Sequence, residues 1–205
     1  MSKITIIQGD LTMMPLKGGA IVNPSNTGLV LTSRGINQQI MRRAGPFMQQ
    51  TMHTERSRLR GGRLDPGAAL ATDAGQLPVD KLLHVAIVGA RKINKRLISR
   101  CLLSVYDMAD ELELTQLGVP PLGPGISKFP FEDFVEVFWQ ITAEELPRLE
   151  HVKNVILAVE TDSEFGYLKD YAAAHGDDME EEEIEVTISE DGITMSTFSA
   201  GFTPS

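Results

Sequence analysis

The 205 residues are 42% hydrophobic and 23% charged and include one cysteine. That balance fits one globular domain with a small appendage and excludes an intrinsically disordered chain and an internal disulfide. The net charge of −9 is uneven: nine of the 28 acidic residues follow His175 and no Lys or Arg does, which leaves 19 residues of each sign before it, too balanced for bulk nucleic-acid binding.

The opening MSKITIIQGD lacks the apolar segment of a signal peptide, and no stretch has the length of a membrane span, so a cytoplasmic location is expected. Residues 4–7 read as a short strand stopped by Gly9-Asp10. Residues 19–23 form a second, buried strand that ends in the polar turn Asn23-Pro24-Ser25-Asn26. Asparagine amides offer both donors and acceptors, and proline fixes the backbone around them. A polar loop containing Gly28 and Gly35 then enters a helix over 35–44, and backbone donors at a helix N-terminus suit phosphate. Gly45 closes that helix and Pro46 opens the next, which runs to about residue 59. Seven arginines and one acid, Glu55, lie between Arg34 and Arg63. They read either as solvated helix faces or as a basic rim beside an anionic ligand.

Short apolar runs follow over 68–72 and 82–88, the second carrying His84, which reads as structural. A long helix over about 93–114 places Ile98, Leu102, Val105 and Leu112 at helical spacing. Cys101 on this helix reads as a small buried residue, with a catalytic thiol as the alternative. A strand over 118–122 leads into the loop Gly123-Pro124-Gly125-Ile126-Ser127-Lys128-Phe129-Pro130. This loop has a phosphate-cradling composition, with a lysine as point charge, but lacks the Gly-Lys-Ser/Thr step of a Walker loop. A helix over 131–146, a strand over 155–159 and a helix over 163–174 complete the alternation. The pattern predicts an α/β fold: a three-layer α/β/α sandwich around a mixed, largely parallel sheet.

Seven acidic residues then fall between Asp177 and Glu185, and alternating residues flank an Asp191-Gly192 hairpin turn. Residues 1–175 are therefore expected to form the domain, and 176–205 an acidic linker with a C-terminal β-hairpin extension. The hairpin is expected to dock on a sheet edge of its own domain, of a second copy or of a protein partner. A cut after His175 is expected to leave the domain folded. His53, His151 and His175 show no ligand spacing, so neither a metal site nor a cofactor is expected.

In this order the pieces resemble the macro domain family, which binds ADP-ribose, and most of all its stand-alone bacterial members. The carrying motifs are Gly9-Asp10-Leu11-Thr12, Ala20 to Asn26, Gly35 to Gly45, Pro66-Gly67-Ala68, Leu77-Pro78, Leu82-Leu83-His84, and the Gly/Pro run ending at Pro130. The resemblance spans about residues 4–174 and implies roles. Asp10 would accept the adenine amino group, with the Leu11 backbone N–H donating beside it. Asn26 would hold the distal ribose, with Asn23 in the same motif. One loop (Ser33, Arg34, Gly35, Ile36) and a second (Gly123, Gly125, Ile126, Ser127, with Lys128) would clasp the diphosphate.

The chain departs from the family pattern in three places. Asn37 stands where hydrolytic members place an aspartate that activates water, and a neutral amide is no general base. Asn26 and Asn37 are nonetheless the catalytic candidates. Ser127 replaces a frequent aromatic, Lys128 replaces a glycine, and Pro124 removes one N–H donor. Glu160-Thr161 occupy the point where many members stack an aromatic ring on adenine. Three functions follow. The first is binding of ADP-ribose or a related ADP-ribosyl or nucleotide diphosphate metabolite. The second is an ADP-ribosyl hydrolase or O-acetyl-ADP-ribose deacetylase. The third is a degenerate fold that serves protein interaction.

Overall fold

The computed structural model describes residues 2–89, 92–125, 128–181, 184–190 and 193–195. Its strands are β1 (Ser2–Gln8), β2 (Leu16–Asn26), β3 (Ala69–Asp73), β4 (Val79–Val88), β5 (Gln116–Val119), β6 (Asn154–Val159), β7 (Ile184–Glu190) and β8 (Ile193–Met195). They form one sheet in the order β3-β4-β2-β5-β6-β1-β7-β8. Every neighbouring pair is parallel except β3–β4 and β7–β8. Parallel strands need covered faces, and both faces are covered here. Helices α1 (Gly35–Arg43) and α2 (Met48–Arg58) pack on one side, and α3 (Lys95–Glu111), α4 (Phe131–Glu145) and α5 (Asp162–Glu181) on the other.

The alternation along each strand sorts side chains between the two layers. Ala20 and Val22 of β2 face the α3–α5 core with Leu83 and Val85 of β4, while Ile21 and Leu82 face the α1–α2 core with Ile40, Met48 and Met52. Of the α3 stripe expected from spacing, Ile98, Leu102 and Val105 lie within the first core, joined by Ala109 and by the buried Cys101, whereas Leu112 caps the helix and is exposed. Burial pushes the Cys101 thiol up to about 12, which leaves it protonated and unsuited to nucleophilic attack. No helix among the described residues is long and apolar enough to cross a membrane.

The three-layer sandwich matches the expectation, with local differences in β2 and in the last helix. β2 does not end at Asn23 but continues through the expected turn to Asn26. Pro24 fits inside it because β5 pairs only with Gly19–Ile21, so β2 has lost that neighbour by then. Its carbonyl accepts instead from Asn37 Nδ2, at 2.9 Å. The last helix is longer than expected and carries part of the acidic run to Glu181. Strand β7 then pairs in parallel with β1, and β8 pairs antiparallel with β7 as the hairpin reading anticipates. The Asp191-Gly192 turn lies outside the described residues. Met179 and Ile184 are fully buried, so the segment after residue 175 packs on the body of the domain.

Candidate functional site

A cavity of about 600 Å3 opens at the carboxyl ends of the parallel strands. Open α/β sheets form their crevices there, because the loops diverge to either face. The wall draws Gly9 and Leu11 from after β1, Pro24 and Asn26 from β2, Val88 from β4, Pro120 and Pro121 from after β5, Ala158 and Val159 from β6, and Glu160 and Thr161 from just after it. Residues 32–37 and Gln39 of α1 form one side, and Pro124, Gly125 and Glu164 complete it.

The first helix supplies the anion-binding end. Arg34 is its N-cap and offers no side-chain cap, and the first intrahelical bond runs from Gln38 N to Arg34 O. The N–H groups of Gly35, Ile36 and Asn37 therefore precede the ladder, and these three residues line the cavity. The helix dipole and the exposed Arg34 guanidinium add positive charge at the same place. Gly35 has φ +50°, a conformation that glycine reaches without steric cost and that turns the chain sharply into the helix.

The loop before this helix is pinned from several sides. Asn26 Oδ1 accepts from Gly28 N (3.0 Å) and Val30 N (3.2 Å), and Asn26 Nδ2 donates to Val30 O (2.7 Å). Gln49 of α2 accepts from Leu31 N at 2.9 Å and donates to Leu29 O, while Arg56 donates to Gly28 O. Leu29 takes φ +51°, unfavourable for a branched residue, and its buried side chain holds it there. The loop is thus set before any ligand arrives.

Beneath it a buried polar row crosses the sheet. Asn37 Oδ1 accepts from Thr32 N (3.4 Å), and its Nδ2 donates to Asn23 Oδ1 (3.1 Å) and Pro24 O. Asn23 Nδ2 lies 3.0 Å from His84 Nδ1, and His84 Nε2 lies 2.9 Å from Thr72 Oγ1. Thr72 in turn donates to Asp73 O. One direction satisfies the whole row: Asn23 donates to Nδ1, so the imidazole proton sits on Nε2 and goes to Thr72. Burial holds the His84 pKa down at about 4, which keeps the ring neutral as this pattern requires.

At the β1–β6 end the floor is apolar, with Leu11, Ala158 and Val159, and the rim is acidic. Asp10 Oδ1 accepts from Thr12 N (2.9 Å) and Thr12 Oγ1 (2.5 Å), capping a short turn, and Oδ2 pairs with Arg43 of α1. One helical turn earlier, Gln39 Nε2 donates to Glu160 Oε1 at 2.5 Å. No aromatic ring lines the cavity among the described residues.

Of the residues singled out from the sequence, the cavity wall includes Leu11, Asn26, Ser33, Arg34, Gly35, Ile36, Asn37 and Gly125. Asp10 stands at the rim between two lining residues. Asn23, Gly123 and Lys128 are not in the wall. Asn23 is fully buried beneath the loop, its amide committed to Asn37 and His84, Gly123 is buried, and Lys128 is exposed. Ile126 and Ser127 lie outside the described residues. The two catalytic candidates are also committed: the Asn26 amide closes its own turn, and the Asn37 amide donates inward. Arg34 and Lys128 do not plug the space. Gln39, Arg43, Gln49 and Glu164 escaped sequence reasoning; the only available signal was the position of Gln39 and Arg43 one turn apart behind a polar loop.

The comparisons with known proteins agree with this fold. The family model described as Macro domain matches residues 22–138. A macro domain-containing protein of Streptomyces coelicolor is 28% identical over 158 residues, which is 76% of this chain and 92% of that protein. O-acetyl-ADP-ribose deacetylase 1 of Pantoea vagans is 34% identical over 137 residues, 64% of this chain and 76% of that protein. Among solved structures, an Oceanobacillus iheyensis macrodomain with ADPR superposes with a TM-score of 0.76 at 19% identity, covering 84% of this chain and 92% of that one. A Trypanosoma brucei macrodomain in complex with ADP-ribose gives a TM-score of 0.71 at 21% identity, over 82% of this chain and 68% of that one.

Proposed function

The chain belongs to the macro domain family, and on that premise we propose that its cavity binds ADP-ribose or a related ADP-ribosyl or nucleotide diphosphate metabolite, free or attached to a protein, in the cytoplasm. The observation that carries this reading is the uncapped start of α1 opening into the cavity beside Arg34. Three unpaired N–H groups, a helix dipole and a guanidinium converge where a diphosphate would lie. Asn26 and its turn bound the side nearest β2, where a ribose would meet polar groups. The apolar floor of Leu11, Ala158 and Val159 would take a flat base.

The test is calorimetric titration of ADP-ribose against the wild type and Arg34→Glu. Micromolar binding is expected for the wild type, weakened at least about tenfold in the variant by loss of one charge-assisted contact and gain of a repulsive charge. No heat at millimolar ADP-ribose in the wild type would overturn the reading and leave protein interaction as the role of the fold.

The similarity to an O-acetyl-ADP-ribose deacetylase favours a second reading, in which the bound ligand is also hydrolysed. Asn37 cannot serve as its base, since its amide is neutral, buried and already bonded at both ends. Water would then have to be activated by the ligand's own phosphate. Incubation with mono-ADP-ribosylated protein and with O-acetyl-ADP-ribose decides between reader and hydrolase: release of ADP-ribose from either supports the enzyme.

A further inference from the structure

The buried polar row ends on the cavity wall. Residues 32–37 all line the cavity, and the bond from Thr32 N to Asn37 Oδ1 closes them into a ring at the start of α1. The residues before them are pinned by Asn26, Gln49 and Arg56, so Asn37 supplies the link from that turn to the helix. The direction of the row follows from its fixed end. Pro24 O can only accept, so Asn37 must turn Nδ2 inward and Oδ1 toward Thr32. The second Nδ2 proton goes to Asn23 Oδ1, which leaves Asn23 Nδ2 facing His84 Nδ1. Asn23 and His84 are wholly buried, and neither lines the cavity.

We propose that His84 is a positioning residue for the anion-binding end of the cavity, acting through Asn23 and Asn37 to hold Thr32 against the start of α1. The inference rests on the reading of the cavity as a nucleotide diphosphate site. His84 supplies the acceptor that the buried Asn23 Nδ2 requires, and a donor left without one in the interior costs more than a hydrogen bond returns. Without that acceptor the Asn23 amide turns over to relieve its donor. Its Nδ2 then meets Asn37 Nδ2, donor against donor, and Asn37 must turn its oxygen inward. Asn37 now points Nδ2 at Thr32 N, and the ring at the start of α1 opens. The row thus has two directions, and only one of them keeps Thr32. That two-state element lets a buried imidazole act on a ligand it never touches. With the ring open, the N–H groups of Gly35, Ile36 and Asn37 lose their fixed aim, and binding must order them.

The experiment titrates ADP-ribose by calorimetry against the full chain and its variants. His84→Leu removes the acceptor and should weaken binding at least about fivefold, the worth of one hydrogen bond. His84→Gln restores an acceptor to Asn23 and should bind within about twofold of the wild type. Leu102→Ala opens a cavity in the α3–α5 core, away from the row, and should destabilise the domain without moving the affinity. Melting curves check that each variant is folded. If His84→Leu is not, His84→Met takes its place, with a flexible side chain that fills irregular space and accepts only weakly. If neither folds, amide exchange in the wild type decides. There the Thr32 amide, on an exposed residue, should exchange without ligand at least about tenfold more slowly than in the unfolded chain. A folded His84→Leu that binds like the wild type, or a Thr32 amide that exchanges freely, overturns the inference and leaves the nucleotide diphosphate reading standing. Equal weakening in His84→Gln or Leu102→Ala also overturns it, as a general effect of packing. No binding by the wild type overturns both.

Discussion

His84 shows what burial does to a single titratable group. Its ring is wholly enclosed between Asn23 and Thr72 and stays neutral, with a pKa near 4 instead of 6.5. The unfolded chain takes up that proton near pH 6.5 and the folded chain only near pH 4, so protons favour the unfolded state between those values. The stability that His84 contributes is present in full above 6.5 and lost as pH falls toward 4, a difference of about 3 kcal/mol. Glutamine can reproduce the acceptor to Asn23 and the donor to Thr72 but has no proton to gain. In urea unfolding at several pH values, the wild type should therefore lose stability relative to His84→Gln below pH 6.5. Parallel curves for the two proteins would show that the ring does not control this dependence. The sequence marked His84 as structural from its place on a buried strand. The chain of bonds to Thr32 was not legible, because it joins residues from four separate segments.

At the scale of elements, the segment after residue 175 is more closely joined to the domain than its composition suggests. A run of acids followed by alternation reads as a linker and a hairpin that docks on a sheet edge and can be cut away after His175. In the structure α5 continues to Glu181, Met179 is buried, and Ile184 starts a strand that pairs with β1 from Ser2 to Ile7. Composition could not reveal this, because the acceptor of β7 is the edge of a strand more than 170 positions away. Truncation after His175 should consequently destabilise the domain and not leave it unchanged. Loss of the Met179 and Ile184 side chains alone costs about 3–6 kcal/mol. The bared β1 edge also invites strand-to-strand association. Thermal melting and light scattering of the shortened chain check this; an unchanged, monodisperse transition would return the tail to the status of an appendage.

For the whole molecule, the question is whether charge acts at long range or only within the cavity. The chain before His175 carries 19 residues of each sign, and the excess acid lies in the tail. Several arginines between Arg34 and Arg63 are spent on local partners: Arg43 on Asp10, Arg56 on Gly28 O, Arg58 on Glu55. This favours solvated or paired helix faces over a broad basic rim. Raising salt from about 0.05 M to about 0.5 M should then weaken ADP-ribose binding by less than about tenfold, since contacts inside the cavity lie within a Debye length. A steeper fall would show that the arginines act together as an anion-attracting field. The sandwich, most of the strand and helix order and the polar loop before α1 were legible in the amino-acid sequence, because periodicity and Gly/Pro turns are local signals that each segment carries alone. That Arg43 meets Asp10, that Gln39 meets Glu160 and that β7 pairs with β1 emerges from the folded arrangement alone. Those pairings depend on how α1 crosses the strand ends and on which edge is left open, and neither is written in any one segment.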